Sequence, residues 1–156
     1  MKAAAVIQVL GALDEAGVRH WVAGGWGVAA LAGRQTRPHR DLDLTIDAAD
    51  LDRCLTALGR LAYTTETDWL PVRIELRATG DRWVDVHPVT FDEKGHGRQP
   101  DLDGGFFDYP PDAFTRGVIV GRAVPCLSAH QQRVFRSGYV PRPQDVHDLA
   151  QLEELR

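Results

Sequence analysis

Apolar residues recur at helical spacing at Val6, Leu10, Leu13 and Ala16, and Gly17 follows them, so residues 3–16 are predicted to form a helix. Val18 to Ala23 reads as a short strand that runs into Gly24-Gly25, and a second helix is predicted from Trp26 to Leu31. Arg34 to Arg40 is a polar connector, because Pro38 does not continue a helix. Asp41 to Ile46 then alternates polar and apolar, the period of a half-buried strand. Leu51, Leu55, Leu58 and Leu61 mark a third helix, with Asp47 or Asp50 near its start. Two strand-like runs follow, Val72–Leu76 and Trp83–Val89, joined by the turn signal Thr79-Gly80-Asp81. Residues 91–112 are rich in Gly, Pro and Asp and are predicted to be irregular, and a loop of that length is more often functional than accidental. A hairpin is predicted around Gly121-Arg122. A helix capped by Ser128 and a last helix opened by Pro143 and running to Leu155 close the chain. Helices and strands share one small unit, so the predicted class is α+β (mixed α/β).

Composition narrows the partners. The 156 residues suit one domain, and 44% apolar with 26% charged is ordinary globular usage. No stretch approaches the ~18 apolar residues of a membrane span, and the N-terminus lacks a leader-like apolar run, so a cytoplasmic protein without a membrane partner is expected. The net charge is −4, and a chain that grips nucleic acid normally carries a basic excess, so no nucleic-acid partner is expected. Of the 18 basic residues 16 are Arg, and of the 22 acidic residues 16 are Asp. Codon bias explains such a skew, and so does a site needing short carboxylates and flat guanidinium forks. Cys54 and Cys126 have no metal-type spacing.

The chemistry concentrates on three aspartates. Asp41 and Asp43 lie two apart on a predicted strand, which places both on one face about 6.6 Å apart. Two carboxylates that close repel each other unless a cation neutralises them. An all-oxygen set suits Mg²⁺, although Asp-x-Asp alone is common on exposed strand ends. Asp85, on a later strand between Val84 and Val86, is positioned to join them, giving a cluster able to hold two cations for a phosphoryl or nucleotidyl displacement. Gly24-Gly25 at a strand-to-helix junction lets backbone N–H groups approach an anion at the helix N-terminus.

Gly24-Gly25-Trp26-Gly27 followed by the run from Gly33 to Leu44 resembles the DNA polymerase β-type nucleotidyltransferase superfamily, and within it the small antibiotic nucleotidyltransferases. Trp69–Leu76, Val84–Pro88, Ile119–Arg122, Pro125-Cys126 and Ser137-Gly138-Tyr139 are similar to the short lincosamide nucleotidyltransferases in particular. Aminoglycoside nucleotidyltransferases share the early motif but carry a longer C-terminal part. The resemblance spans Trp21 to Leu152. It implies a single nucleotidyltransferase domain over 1–156, with a short helical part at about 128–156 and a small mixed sheet flanked by helices. It also implies transfer of a nucleoside monophosphate, AMP from ATP in the leading case, to a hydroxyl of a lincosamide or aminoglycoside, with release of pyrophosphate. Asp41, Asp43 and Asp85 match the metal-binding carboxylates, with two Mg²⁺ ions expected. Asp85 also matches the proton acceptor, and Gly24-Gly25 the triphosphate turn. Ala29 departs from relatives that carry an acidic residue shortly after the Gly-Gly-Trp turn.

Arg34, Arg37 and Arg40 are candidates for bidentate phosphate contacts, against the alternative of a solvated connector. Glu75 is the second candidate for the base. His39 and His87 each lie two residues from a key Asp, and a zinc site from His39, Asp41, Asp85 and His87 is a lesser alternative. Trp69, Phe106, Phe107 and Tyr109 are candidate walls of an acceptor pocket; Asp145, His147 and Asp148 are candidates for holding a cationic acceptor. A chain this short has few walls for a drug-sized acceptor, which predicts a homodimer. The rival readings are a non-catalytic nucleotide-binding or antitoxin-type partner, and a nucleotidyltransferase acting on a protein or a natural-product intermediate.

Overall fold

The computed structural model describes residues 1–155; Arg156, the last residue of the expected C-terminal part, lies outside the described residues. The helix α1 (Ala3–Glu15) buries Val6, Val9, Leu10 and Leu13, one stripe at helical spacing. The strand β1 (His20–Val22) leads into α2 (Gly24–Ala32), and β2 (Leu42–Asp47) into α3 (Leu51–Arg60), which buries Cys54, Ala57 and Leu58. Then come β3 (Thr64–Trp69), β4 (Arg73–Ala78), β5 (Arg82–Phe91), β6 (Gly97–Pro100) and β7 (Phe106–Tyr109). The hairpin β8 (Phe114–Ile119) and β9 (Arg122–Leu127) precedes α4 (Ala129–Val134) and α5 (Pro143–Glu153). The class is α+β, as expected. Among the described residues no helix is long and apolar enough to cross a membrane.

The main sheet runs β3-β4-β5-β2-β1-β9-β8 and is mixed. β2 pairs with β5, and β1 with β9, in parallel, and the remaining pairs are antiparallel. Alternation sorts its two faces. Leu42, Leu44, Ile46, Val84 and Val86 point into the larger core with α1 and α3. The other face carries Trp21, Val89, Phe114 and Leu127 in a smaller core closed by Phe135. Asp43 shares that second face with buried Thr45, so the chemistry sits where the sheet is covered by loops and the C-terminal part.

Several boundaries differ from the sequence pattern. Asp41 precedes β2 rather than opening it. The second helix begins at Gly24, two residues before Trp26, so both glycines lie in its first turn. β3 carries the sequence Thr-Thr-Glu-Thr-Asp-Trp with no buried residue; as an edge strand it has no apolar face to alternate. The span 91–112 is not irregular throughout, because β5 extends to Phe91 and a β6–β7 hairpin follows it.

The C-terminal part is tied to the connector by a buried ion cluster. Arg37 donates Nε and Nη2 to the two oxygens of Asp148, each at 2.8 Å, and Arg136 Nη2 reaches the same carboxylate at 3.0 Å. Burial works against the charged form of Asp148, but Arg37 and Arg136 overcome it and hold its pKa below the usual carboxylate value. Asp148→Ala leaves two guanidinium groups without their anion. The expected loss is about 3–5 kcal/mol at neutral pH, read by chemical denaturation. A carboxylate with a depressed folded pKa contributes stability that is present above its unfolded pKa and lost as pH falls through the folded one. The gap between wild type and variant should therefore narrow as pH drops below about 4.

Candidate active site

β2 and β5 lie in register with Asp43 opposite Asp85 and Thr45 opposite His87. β4 places Glu75 opposite Asp85 from the other side. Three carboxylates thus stand in one row across three strands. At the end of the row, the Ala23 N–H donates to the Asp43 carbonyl at 2.9 Å, which brings the start of α2 against this side chain. Gly24 has φ +56°, and a Cβ there would overlap Asp43 Oδ2. A Cβ at Gly25 would overlap the His39 ring and lie 2.7 Å from Arg37 Nη2. Only glycines let the α2 N-terminus approach the carboxylates this closely.

Asp43, Asp85 and His87 offer atoms within 4.8 Å of one another. Asp41 stands outside that trio, 3.5 Å from Arg40 and half-buried. Burial raises the Asp41 pKa and Asp43 adds to the shift, with Arg40 opposing it. For Asp43, burial is outweighed by His87 and by the Arg136 and Arg73 charges, so its carboxyl stays below the usual range. Asp85 is pushed up chiefly by burial and further by Asp43, against the pull of His87 and Arg73. Burial opposes the charged form of His87, but Asp43 and Asp85 raise it. Asp85 Oδ2 pairs with Arg73, whose guanidinium also lies 4.5 Å from the Trp69 ring centroid. Asp85 Oδ1 is buried without a hydrogen-bond partner. A buried, unpaired carboxylate oxygen beside a second carboxylate is the donor chemistry a hard divalent cation satisfies, so these residues fit such an ion.

The remaining candidates disperse. His39 is 4% exposed and leans on Trp26, with ring centroids 4.8 Å apart. Burial and Arg37 lower its pKa to about 4. The structure therefore does not bring it to Asp85 and His87, and the zinc alternative loses that ligand. The three candidate phosphate arginines are held by partners within the chain: Arg34 by Gln151, Arg37 by Asp148, and Arg40 by Glu75 at 3.2 Å. Asp148 is fully buried in its ion cluster, away from any acceptor. Asp145 is taken up by Arg142 in the capping of α5.

A cleft of about 730 Å³ opens over Asp43, His87 and Gly24, within the 300–1,000 Å³ usual for ligand sites. Its outer wall includes Val72, Leu102, Phe107, Tyr109, Phe135 and Tyr139. Arg73, Arg136 and Arg142 also line it and had not been singled out. Arg73 was within reach of sequence reasoning, because alternation places it on the same strand face as Glu75. Arg136 was not, since its position depends on how α4 docks.

The Aminoglycoside-2''-adenylyltransferase family model matches residues 5–152. A lincosamide resistance protein of Staphylococcus haemolyticus is 32% identical over 147 residues, covering 94% of this chain and 91% of that protein. A 2''-aminoglycoside nucleotidyltransferase of Klebsiella pneumoniae is 33% identical over 124 residues, or 78% of this chain, and this chain spans 64% of its length. Among solved structures, lincomycin-bound LnuA, a lincosamide antibiotic adenylyltransferase, superposes with a TM-score of 0.90 at 30% identity, covering 100% of this chain and 99% of that one. The ANT(2'')-Ia complex with adenylyl-2''-tobramycin shares the fold, with a TM-score of 0.77 at 21% identity over 98% of this chain and 91% of that one.

Gly24→Ala tests the close approach. The left-handed backbone alone costs an alanine about 1–2 kcal/mol, and the new methyl must displace the Asp43 carboxylate. The expected outcome is a folded protein, by circular dichroism, whose calorimetric affinity for a divalent cation falls at least about tenfold.

Proposed function

Because the chain belongs to the Aminoglycoside-2''-adenylyltransferase family and is a nucleotidyltransferase, we propose that it moves AMP from Mg²⁺-bound ATP to a hydroxyl of an antibiotic, with lincosamides preferred. The observation that carries this reading is the in-register pair Asp43 and Asp85, with an orphaned Asp85 oxygen, beside the α2 N-terminus. Asp41, Asp43 and Asp85 would hold one or two Mg²⁺ ions. When bound, the metal would neutralise the triphosphate and stabilise charge on the attacking and leaving oxygens.

The protein's own groups supply the rest. Backbone N–H groups at Gly24 and Gly25 and the positive end of α2 hold the phosphates. Asp85 takes the proton of the acceptor hydroxyl while that oxygen bonds to the α-phosphorus; the bond to the β-phosphate oxygen breaks and pyrophosphate leaves. Burial makes Asp85 a better base than an exposed aspartate. Glu75 is held by Arg40 and is the weaker candidate for that step. The reading treats residues 1–156 as one nucleotidyltransferase domain, cytoplasmic.

The wall chemistry supports a lincosamide over an aminoglycoside. Asp43, Asp101, Asp103 and Asp145 line the cleft together with Arg73, Arg136 and Arg142, so charge is nearly balanced. A polycation needs an acidic excess there, whereas an amphipathic acceptor with one amine suits apolar walls and one spare carboxylate. A homodimer is part of the proposal: Val140 and Val146 are exposed beside the rim residues Tyr139, Arg142 and Asp145, offering a second copy an apolar contact.

A pyrophosphate-release screen over lincosamides and aminoglycosides with each nucleoside triphosphate tests the reading. Lincosamide with ATP and Mg²⁺ should turn over, and Asp43→Asn or Asp85→Asn should lower the rate at least about 10³-fold. Because Asp85 must be unprotonated, the rate should fall on acidification through its raised pKa. Turnover by a variant at the wild-type rate would remove the central claim, and light scattering reports the dimer.

A further inference from the structure

We infer that Gln99 is a positioning residue that fixes the hydrogen-bonding polarity of His87, so that His87 faces Asp43 and Asp85 as an N–H donor and stays out of the metal site. The inference rests on the metal-dependent reading above and adds to it which of the clustered atoms are ligands and which are not.

Distance alone admits His87 as a ligand. Its Nε2 lies 3.7 Å from Asp43 Oδ1 and 3.7 Å from Asp85 Oδ2. A nitrogen ligand needs a lone pair at Nε2, and a neutral imidazole then carries its proton on Nδ1. The partner of Nδ1 therefore decides the matter. That partner is Gln99 Nε2, at 3.1 Å.

The orientation of the Gln99 amide is set by a backbone carbonyl with no freedom to reverse. The same Nε2 lies 3.0 Å from the Val72 backbone carbonyl, which only accepts. Turning the amide over would set two oxygens against each other at that distance. At the other end Tyr109 donates its hydroxyl to Gln99 Oε1 at 2.6 Å. Gln99 is 4% and Tyr109 2% exposed, so water does not stand in for a lost partner. With the amide nitrogen facing it, Nδ1 must accept. The proton of neutral His87 is then on Nε2, directed between the two carboxylates. A donor there holds the carboxylates for an oxygen-only ion and denies nitrogen to softer ions such as Zn²⁺ or Co²⁺.

The test is the His87 tautomer, read from side-chain ¹H–¹⁵N correlations of ¹⁵N-histidine protein over a rising pH series until the ring shows the neutral-imidazole pattern, with the signal assigned through His87→Gln. The expected state is Nε2–H, in metal-free protein and with saturating Mg²⁺. Gln99→Glu turns the partner of Nδ1 into an acceptor. With Co²⁺ bound it should leave the proton on Nδ1 and free Nε2 to ligate, tightening Co²⁺ binding about 10–100-fold, with nitrogen-ligand bands in the cobalt spectrum. Gln99→Leu, without polar atoms, should keep Nε2–H in metal-free protein, where the carboxylates alone hold it, and should admit partial nitrogen ligation of Co²⁺. Nδ1–H in the wild type, nitrogen-ligated cobalt in the wild type, or an oxygen-only cobalt spectrum in Gln99→Glu or Gln99→Leu overturns the inference. If Gln99→Glu does not fold, the wild-type tautomer and Gln99→Leu still decide. A protein that binds no Mg²⁺ and releases no pyrophosphate would defeat the proposed function while leaving the tautomer measurable. The wrong tautomer would defeat only the inference.

Discussion

Parallel pairing of β2 with β5 sets Asp43 directly beside Asp85, and the rest of the site answers the repulsion that this register creates. Neighbouring strands lie about 4.8 Å apart, so the two carboxylates are too close to ionise independently in a partly buried setting. Arg73 meets one of them from β4, and His87 stands between both. The α2 N-terminus arrives through the Ala23–Asp43 backbone bond and Gly24. Each supplies positive charge or an N–H group, yet one Asp85 oxygen remains unpaired. That residual need leaves the cluster chemically fitted to a cation rather than satisfied within the chain.

The connector before β2 serves this register in a way that its composition obscures. Three arginines near two aspartates resemble a phosphate grip, but the geometry gives each a structural partner. Arg37 is the clearest case, since its fork is matched by both oxygens of buried Asp148. The same carboxylate receives Arg136, which lines the cleft. One buried anion thus holds the connector, α4 and α5 in a common frame, and links the position of the Gly24-Gly25 turn to that of the outer wall of the cleft.

Much of the fold was legible in local pattern, and the losses have physical causes. Asp43 was found through alternation in β2, and Asp85 through its apolar neighbours in β5; both are properties of one strand. That the two are exact cross-strand partners is a property of the sheet order, which no local period reports. β3 escaped because an edge strand with six polar or amphipathic residues carries no period-two apolar signal. Gln99 sat in a stretch read as irregular, and its importance lies in partners contributed by residues 72, 87 and 109, brought together only by folding. Asp148 is a candidate for a cationic acceptor, or else part of a solvated helix face, by its sequence alone, whereas the helix turns that residue inward onto two arginines.

The site divides into parts with different sequence origins, and this bears on what similarity to known enzymes transfers. The carboxylate row comes from β2, β4 and β5 and the α2 turn follows β1, and these parts and the cleft wall alike lie within the matched residues 5–152. The outer wall of the cleft comes largely from the β6–β7 hairpin and from residues 135–145. The exposed Leu102, Phe106 and Phe107 stand on that hairpin, and Asp101 fixes the turn through the N–H groups of Asp103 and Gly105. The exposed hairpin-tip side chains Leu102, Phe106 and Phe107 make no hydrogen bond or ion pair with the carboxylate row, whereas Arg136 and Gln99 act on it. A fold shared with an aminoglycoside enzyme therefore does not specify the acceptor. Bridges between the parts include Tyr109 through Gln99 to His87, and the Arg136 charge acting on Asp43. Substitutions on the hairpin tip should thus tune acceptor choice, while those reaching Gln99 should be felt at the carboxylates.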